Sequence, residues 1–311
     1  MIITHNHKII IISIIIISII IIIILVIGLY IILHITYKKT IPKKIWTYWN
    51  NLNNISPTVI RCIDTWEREN QDYEIVILDN DLINELCGIN INDLNIREDF
   101  YARHSDIARL LIIAKYGGIW LDSTIICTKS LNWVRDLQKQ NNVEFIGYIA
   151  PHTTNSKYPI IENWFLAAVP NSNFIINWLL ETLYMTTFND EMNYVNHIKN
   201  NVNIDLQNLN DSLPYLVVHL CGAVVLQRKD KEYKILLLDA MDDNGPFRYL
   251  NLNSWETEKS LNALCEEKSL QTPLIKLRGT ERNYIENDNN IKKLNCDDLK
   301  DINVFHVLNK N

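Results

Sequence analysis

The sequence has no long run of basic residues, no nucleic-acid-binding motif and no internal repeat. Its 30 Lys and Arg residues are scattered among 36 Asp and Glu residues, which gives a formal net charge of −6 at pH 7. Proteins that bind nucleic acids present clustered positive charge to the phosphate backbone. Nucleic acid is therefore not an expected partner.

The six cysteines contain no C-x-x-C pair. They are even in number but sparse, so they leave open whether the protein resides in an oxidising or a reducing compartment. We interpret them as buried apolar thiols. The cysteines are Cys62, Cys87, Cys127, Cys221, Cys265 and Cys296.

Residues 9–37 contain no Asp, Glu, Lys or Arg and consist mainly of isoleucine. About 20 such residues in a helix span the hydrocarbon core of a bilayer. A cleavable signal peptide is the alternative, but its apolar region is only about 7 to 15 residues long and ends at small residues, which this run does not. We predict an N-terminal tail (1–8) followed by one uncleaved transmembrane anchor (9–37).

Residues 40–311 are sufficient for one large α/β domain with insertions. The order of a strand, a helix and a second strand at its start is typical of a Rossmann-like nucleotide-binding half. A helix around Asp106 and a strand at Ile119 continue this pattern. The predicted strands are Lys43 to Trp49, Glu74 to Leu78, Asn141 to Ala150, Val217-Val218 and Ile235 to Leu238, and the predicted helices include Pro57 to Trp66 and most of residues 171–200.

The most informative stretch extends from His104 to Thr124. Asp106 and Arg109 are three residues apart and share one face of the predicted helix, which the pair Gly117-Gly118 ends. The short apolar strand that follows places Asp122 where the sheet meets a crevice. Ligands of open α/β sheets bind at such crevices.

This stretch resembles the S-D-x-x-R...G-G-x-[YW]-x-D-x-D signature of GT-A glycosyltransferases, which include family 32 sugar transferases and clostridial glucosylating toxins. The blocks Ile41 to Trp46 and Glu162 to Phe165 are most similar to those of capsular polysaccharide synthesis glycosyltransferases. The similarity covers residues 41–170. It implies a GT-A-like, Rossmann-type fold with a mixed central sheet, in which 40–130 bind the nucleotide sugar and 131–311 form the acceptor side.

The resemblance also implies roles in donor binding. Asp106 would accept hydrogen bonds from the ribose hydroxyls, and Arg109 would offer its planar fork to sugar or phosphate oxygens. Trp46 would stack on the base and Trp120 would pack beside the sugar. Packing in the hydrophobic core is the alternative for both tryptophans.

Asp122 is the expected metal contact, since Mn²⁺ and Mg²⁺ prefer oxygen ligands and would stabilise the leaving diphosphate. Thr124 stands at the second acidic position of the motif, so a divalent cation would be held more weakly or with another ligand, or the enzyme would be independent of metal. His306 is a candidate for a ligand from late in the chain, as is His219.

Glu162 and Asn163 fall where related transferases line the cleft for the donor sugar and the acceptor. One of them would bind sugar hydroxyls or assist the acceptor proton. We expect a glycosyltransferase of the hexosyltransferase type that uses a nucleotide-sugar donor, preferably UDP-linked, and a polysaccharide or glycoconjugate acceptor. Resemblance to family 32 implies retention of the anomeric configuration. The alternative, motivated by Thr124, is a degenerate nucleotide-sugar or glycan-binding protein without turnover.

The side of the membrane that carries the catalytic domain is open. Only Lys8 precedes the predicted anchor, whereas four lysines follow it between residues 38 and 44, which favours the cytosolic side by the positive-inside rule. Membrane-anchored eukaryotic transferases commonly face a secretory lumen instead.

Overall fold

The computed structural model describes residues 40–228, 230, 232–266, 272–287, 290 and 294. The chain divides at Lys39, and these residues belong to the unit Thr40–Asn311. The predicted anchor at 9–37 and His306 lie outside the described residues. Along the part that is described, no helix has the length and apolar character needed to cross a membrane.

Strands and helices alternate along most of the described chain. The strands are β1 (Lys44–Tyr48), β2 (Glu74–Leu78), β3 (Gly118–Leu121), β4 (Ile125–Cys127), β5 (Phe145–Ile149), β6 (Phe165–Ala168), β7 (Ile235–Asp239) and β8 (Leu274–Lys276). The α-helices are α1 (Pro57–Glu69), α2 (Asn80–Cys87), α3 (Tyr101–Tyr116), α4 (Asn132–Asn141), α5 (Asn173–Met185), α6 (Glu191–Asn201), α7 (Val217–Leu226), α8 (Arg248–Leu252), α9 (Thr257–Glu266) and α10 (Gly279–Ile285).

Six of these strands form a mixed sheet in the order β2-β1-β3-β6-β5-β7, and β4 pairs with β8 in a second, antiparallel sheet. Strand β1 is parallel to both β2 and β3, whereas β6 is antiparallel to β3 and β5. The predicted α/β class and mixed central sheet are therefore confirmed.

The sheet is buried on both faces, because successive side chains of a strand point to opposite sides. In β3, Ile119 and Leu121 belong to one hydrophobic cluster, and Trp120 belongs to the other. Helices α1 and α4 supply buried residues to the first cluster, and α3, α5 and α7 supply them to the second. The result is a sheet between two helical layers.

Helix α3 runs through the second cluster, and its residues from Asp106 to Ala114 are all buried. Buried residues therefore lie on every face of this stretch, as expected for a helix inside a core. The helix ends at Gly117, whose φ of 64° lies in the left-handed region. A side chain there would also collide with Pro170, whose backbone nitrogen would lie 2.6 Å from the added Cβ.

Most of the predicted elements coincide with observed ones, but the predicted strand at Val217-Val218 is wrong. These residues begin helix α7, in which Val217 to Val225 are all buried. A short, fully buried apolar run shows neither the helical nor the strand period, so β-branched residues alone suggested a strand.

The topology brings three chain segments to one edge of the sheet. Strands β1 and β3 are parallel and end at this edge, and the antiparallel β6 begins there. Trp49 comes directly after β1 and Asp122 directly after β3. Asn163 lies shortly before β6. Ligands of open α/β sheets bind at the carboxyl ends of such strands.

Candidate functional site

A cavity of about 490 Å³ opens at this edge. This size is within the range of small-molecule sites in proteins, about 300 to 1,000 Å³. The residues that line it come from the ends of β1 and β3, from α3, and from the segments around α7, β8 and α10. They include Tyr48, Trp49, Asp106, Arg109, Asp122 and Lys276.

Asp106 is held by three side chains on the wall of the cavity. Arg103 donates to its Oδ2 at 2.6 Å, and Asn163 donates to its Oδ1 at 2.8 Å. Arg109 forms an ion pair with Oδ1 at 3.3 Å. Arg103 is fixed in turn by a hydrogen bond of 2.7 Å to Glu191. The carboxylate of Asp106 therefore has one orientation, which pre-organises it for a ligand.

Arg109 connects the helix to both strand ends. Its guanidinium lies 3.2 Å from Oδ1 of Asp122 and donates to the carbonyl of Asn163 at 2.8 Å. It also stacks over the ring of Trp120, with 5.2 Å to the ring centroid. Since Arg109 is only 4% exposed, these contacts form in a largely desolvated environment, where charge-assisted bonds are strong.

Asp122 is surrounded by donors. Oδ1 accepts a hydrogen bond of 3.1 Å from the indole of Trp120, and Oδ2 accepts one of 3.1 Å from the ammonium of Lys276. Burial raises the pKa of this carboxyl, but the positive charges of Lys276 and Arg109 outweigh it and lower the pKa to about 2. Asp122 is therefore ionised at any physiological pH.

Lys276 is the residue of this site that the sequence analysis missed. It is 8% exposed and its ammonium donates to Thr124 Oγ1 as well as to Asp122, both at 3.1 Å. The hydroxyl of Thr124 donates its own proton to the carbonyl of Leu277 at 2.7 Å. The available signal was a lysine within the otherwise apolar segment 274–277, because a buried cation needs a partner.

The donor set around Asp122 does not fit the expected Mn²⁺ or Mg²⁺. A cation bound to either oxygen of Asp122 would lie beside the positive charge of Arg109 or Lys276. Thr124, the second predicted ligand, already accepts from Lys276. Among the described residues, no group of three or more His, Cys, Asp or Glu could hold a metal ion.

Comparison with known families decides the affiliation of the chain. A family model described as "Capsular polysaccharide synthesis protein" matches residues 32–285. The chain belongs to this family. The family predicted from the sequence blocks is thereby confirmed.

Several solved structures share a distant likeness with this family member. The glycosyltransferase PaToxG is 17% identical over 62% of this chain and 81% of its own, with a TM-score of 0.33. The galactosyltransferase LgtC with donor and acceptor sugar analogues is 14% identical over 76% and 87%, with a TM-score of 0.40. The ligand-free glycosyltransferase domain of the YGT toxin is 9% identical over 79% and 88%, with a TM-score of 0.41. No curated protein matches significantly.

The two tryptophans expected at the donor lie in the core of this member of the capsular polysaccharide synthesis family. Trp46 is 2% exposed, donates to the carbonyl of Gly117 at 2.9 Å and does not line the cavity. Its expected stacking on the base is therefore corrected, because Trp46 lies two residues before the end of β1 and packs within the second cluster. Tyr48 and Trp49 line the cavity instead. Trp120 is fully buried and acts on the site through Asp122.

Glu162 and Asn163 are adjacent in sequence but differ in their surroundings. Asn163 lines the cavity and binds Asp106, whereas Glu162 is not among the lining residues. Glu162 lies 3.4 Å from Nε2 of His219, which does line the cavity. His219 therefore belongs to this site and has the carboxylate of Glu162 as its neighbour.

Proposed function

We propose that the chain is a glycosyltransferase that moves a sugar from a nucleotide-sugar donor, UDP-linked, to a growing polysaccharide or glycoconjugate. Membership in the capsular polysaccharide synthesis family supports this proposal. The observation that carries it is the buried Arg109, which joins the carboxylates of Asp106 and Asp122 on the wall of one cavity. A nucleotide sugar offers hydroxyls and phosphates, and these groups match such acceptors and donors.

The ribose is the proposed ligand of Asp106. A carboxylate can accept about four hydrogen bonds. Three donors already occupy Asp106, namely Arg103, Arg109 and Asn163. The oriented carboxylate of Asp106 can therefore accept one more hydrogen bond, from a ribose hydroxyl.

The base is proposed to bind at the end of β1. Tyr48 and Trp49 line the cavity there, and the indole of Trp49 donates to the carbonyl of Asn54 at 3.1 Å. An aromatic side chain held by such a bond offers a flat face for stacking on a base. The acceptor is proposed to enter on the side of Asn163 and His219. Retention of configuration, which resemblance to family 32 implies, is part of the proposal.

Turnover of a nucleotide sugar tests the function directly. The full-length protein, incubated with a panel of UDP-sugars, is expected to release UDP from at least one of them. Release should be greater in the presence of capsular polysaccharide, because the acceptor hydroxyl replaces water as the nucleophile. A coupled assay for UDP measures the rate, and the Asp122→Asn variant, which keeps the shape of the site, provides the matched background.

Two other results would contradict the proposal. Saturable binding of a UDP-sugar without turnover under any acceptor condition would support the degenerate binding protein. Neither binding nor turnover would leave a protein that keeps the family's fold without its donor site.

We propose further that residues 9–37 anchor the protein in a membrane as a single span. The support is the absence of charge over a length that crosses a bilayer. After alkaline carbonate extraction of membranes, the full-length protein is expected in the pellet. A peripheral membrane protein processed in parallel is the control and should appear in the supernatant. Recovery of this chain in the same supernatant would refute the anchor.

A further inference from the structure

Lys276 is held rigidly at the base of the cavity. Its strand pairs with β4, where Ile125 is its partner. Its backbone nitrogen donates to the carbonyl of Pro246 at 3.2 Å, and its carbonyl accepts from the hydroxyl of Tyr249 at 2.8 Å. A lysine fixed by its backbone on both sides is suited to present its ammonium at one position.

The ammonium has capacity for a ligand. It carries three N–H donors. Asp122 and Thr124 accept two of them. Lys276 also lines the cavity. The remaining donor is thus available to an oxygen atom of a molecule bound there.

Positive charge exceeds negative charge among the described residues that line the cavity. Arg109, Lys276 and Arg282 are the cations, and Asp106 and Asp122 are the carboxylates. Asp122 is shared between Arg109 and Lys276, and Arg109 also pairs with Asp106, so the lining residues keep an excess of one positive charge. A diphosphate bound in the cavity would meet this excess of positive charge.

The ammonium of Lys276 lies at the position where the sequence motif predicts a divalent cation. Lys276 Nζ bridges the two side chains that were to be the metal ligands, Asp122 and Thr124. The Lys276 ammonium supplies positive charge that would stabilise a leaving diphosphate, and no metal ion is needed for this.

We propose that Lys276, together with Arg109, binds the diphosphate of the donor, so that this chain holds its nucleotide without a divalent cation. This inference rests on the proposed function, since it assumes that a nucleoside diphosphate is the ligand. In the transfer, the acceptor oxygen bonds to the anomeric carbon, the bond from the sugar to the diphosphate breaks, and the proton of the acceptor hydroxyl passes to the departing diphosphate. The inference concerns the binding and neutralisation of that diphosphate.

The test measures UDP binding to the full-length protein by calorimetry, in a chelator and in excess Mn²⁺. Wild-type protein is expected to bind UDP equally well in both. In the chelator, Lys276→Met should lower UDP affinity by about tenfold to a hundredfold, the effect of losing one charge-assisted hydrogen bond. Affinity for uridine, which has no phosphate, should not change.

Two further variants sharpen the comparison. Lys276→Arg keeps the positive charge and should recover most of the UDP affinity. If Lys276 had only a structural role, its replacement would not change the UDP affinity of the folded protein. Lys139→Met removes an exposed lysine of α4 and should match wild type. Thermal unfolding of each variant reports whether it is folded.

The outcomes separate this inference from the proposed function. Binding of UDP that appears only with Mn²⁺ would overturn the role of Lys276 and leave the function intact. Unchanged UDP affinity in the folded Lys276→Met variant would also overturn the role of Lys276 and leave the proposed function intact. If wild-type protein bound no nucleoside diphosphate under either condition, the proposed function itself would fail.

Discussion

Replacement of Arg109 by alanine is expected to abolish measurable sugar transfer, lowering kcat/KM by at least about a hundredfold. The guanidinium touches Asp106, Asp122 and the carbonyl of Asn163. Removal of the guanidinium leaves the carboxylates of Asp106 and Asp122 each without one cationic partner in a buried environment. Breaking a buried ion pair from one side also destabilises the fold, by about 3 to 5 kcal/mol.

The measurements are UDP affinity, steady-state kinetics and urea unfolding on the same preparations. Arg109→Lys keeps the charge but loses the planar fork, so it should recover stability better than turnover. Arg68→Ala, which removes an arginine paired with Glu69 on α1, is the control. Wild-type affinity and turnover in folded Arg109→Ala would move the donor site elsewhere.

Asp122→Asn is expected to lower turnover by about a hundredfold, with a smaller effect on stability than Arg109→Ala. Asparagine keeps the size of the side chain but loses the charge that orders Lys276 and Arg109. Lys276 then loses its carboxylate partner, and Arg109 keeps only Asp106. Steady-state kinetics with the best UDP-sugar measure the loss, and Asp243→Asn, whose side chain is 95% exposed, is the control.

The pH dependence of this effect follows from the lowered pKa of Asp122, about 2 against an ordinary 3.8. A lowered pKa stabilises the folded protein above the ordinary value, and this contribution is lost as the pH falls towards 2. The ratio of wild-type to Asp122→Asn activity should therefore be constant between about pH 5 and pH 9. A ratio that falls with acid inside this range would show that Asp122 titrates there.

The first half of the fold was predictable because its elements carry strong local signals. Pro57 begins a helix, and the apolar segment Glu74–Leu78 is a strand with the predicted bounds. Later elements are less distinct, since α7 is buried on nearly all sides and shows no period. The pairing of β6 between β3 and β5 depends on contacts between distant segments, and no local pattern encodes it.

The sequence by itself determined the family, the α/β class and the motif that carries Asp106, Arg109 and Asp122, because these residues are close in the chain and their spacing sets a helix face and a strand end. Only the tertiary structure decided what surrounds them. Lys276 reaches Asp122 across 154 residues, and the pairing of β8 with β4 brings it there. Trp46 is likewise held in the core by a distant segment, since its indole donates to the carbonyl of Gly117. Spacing reports neighbours along one helix or strand, whereas the charge balance of a site depends on which distant strands pair.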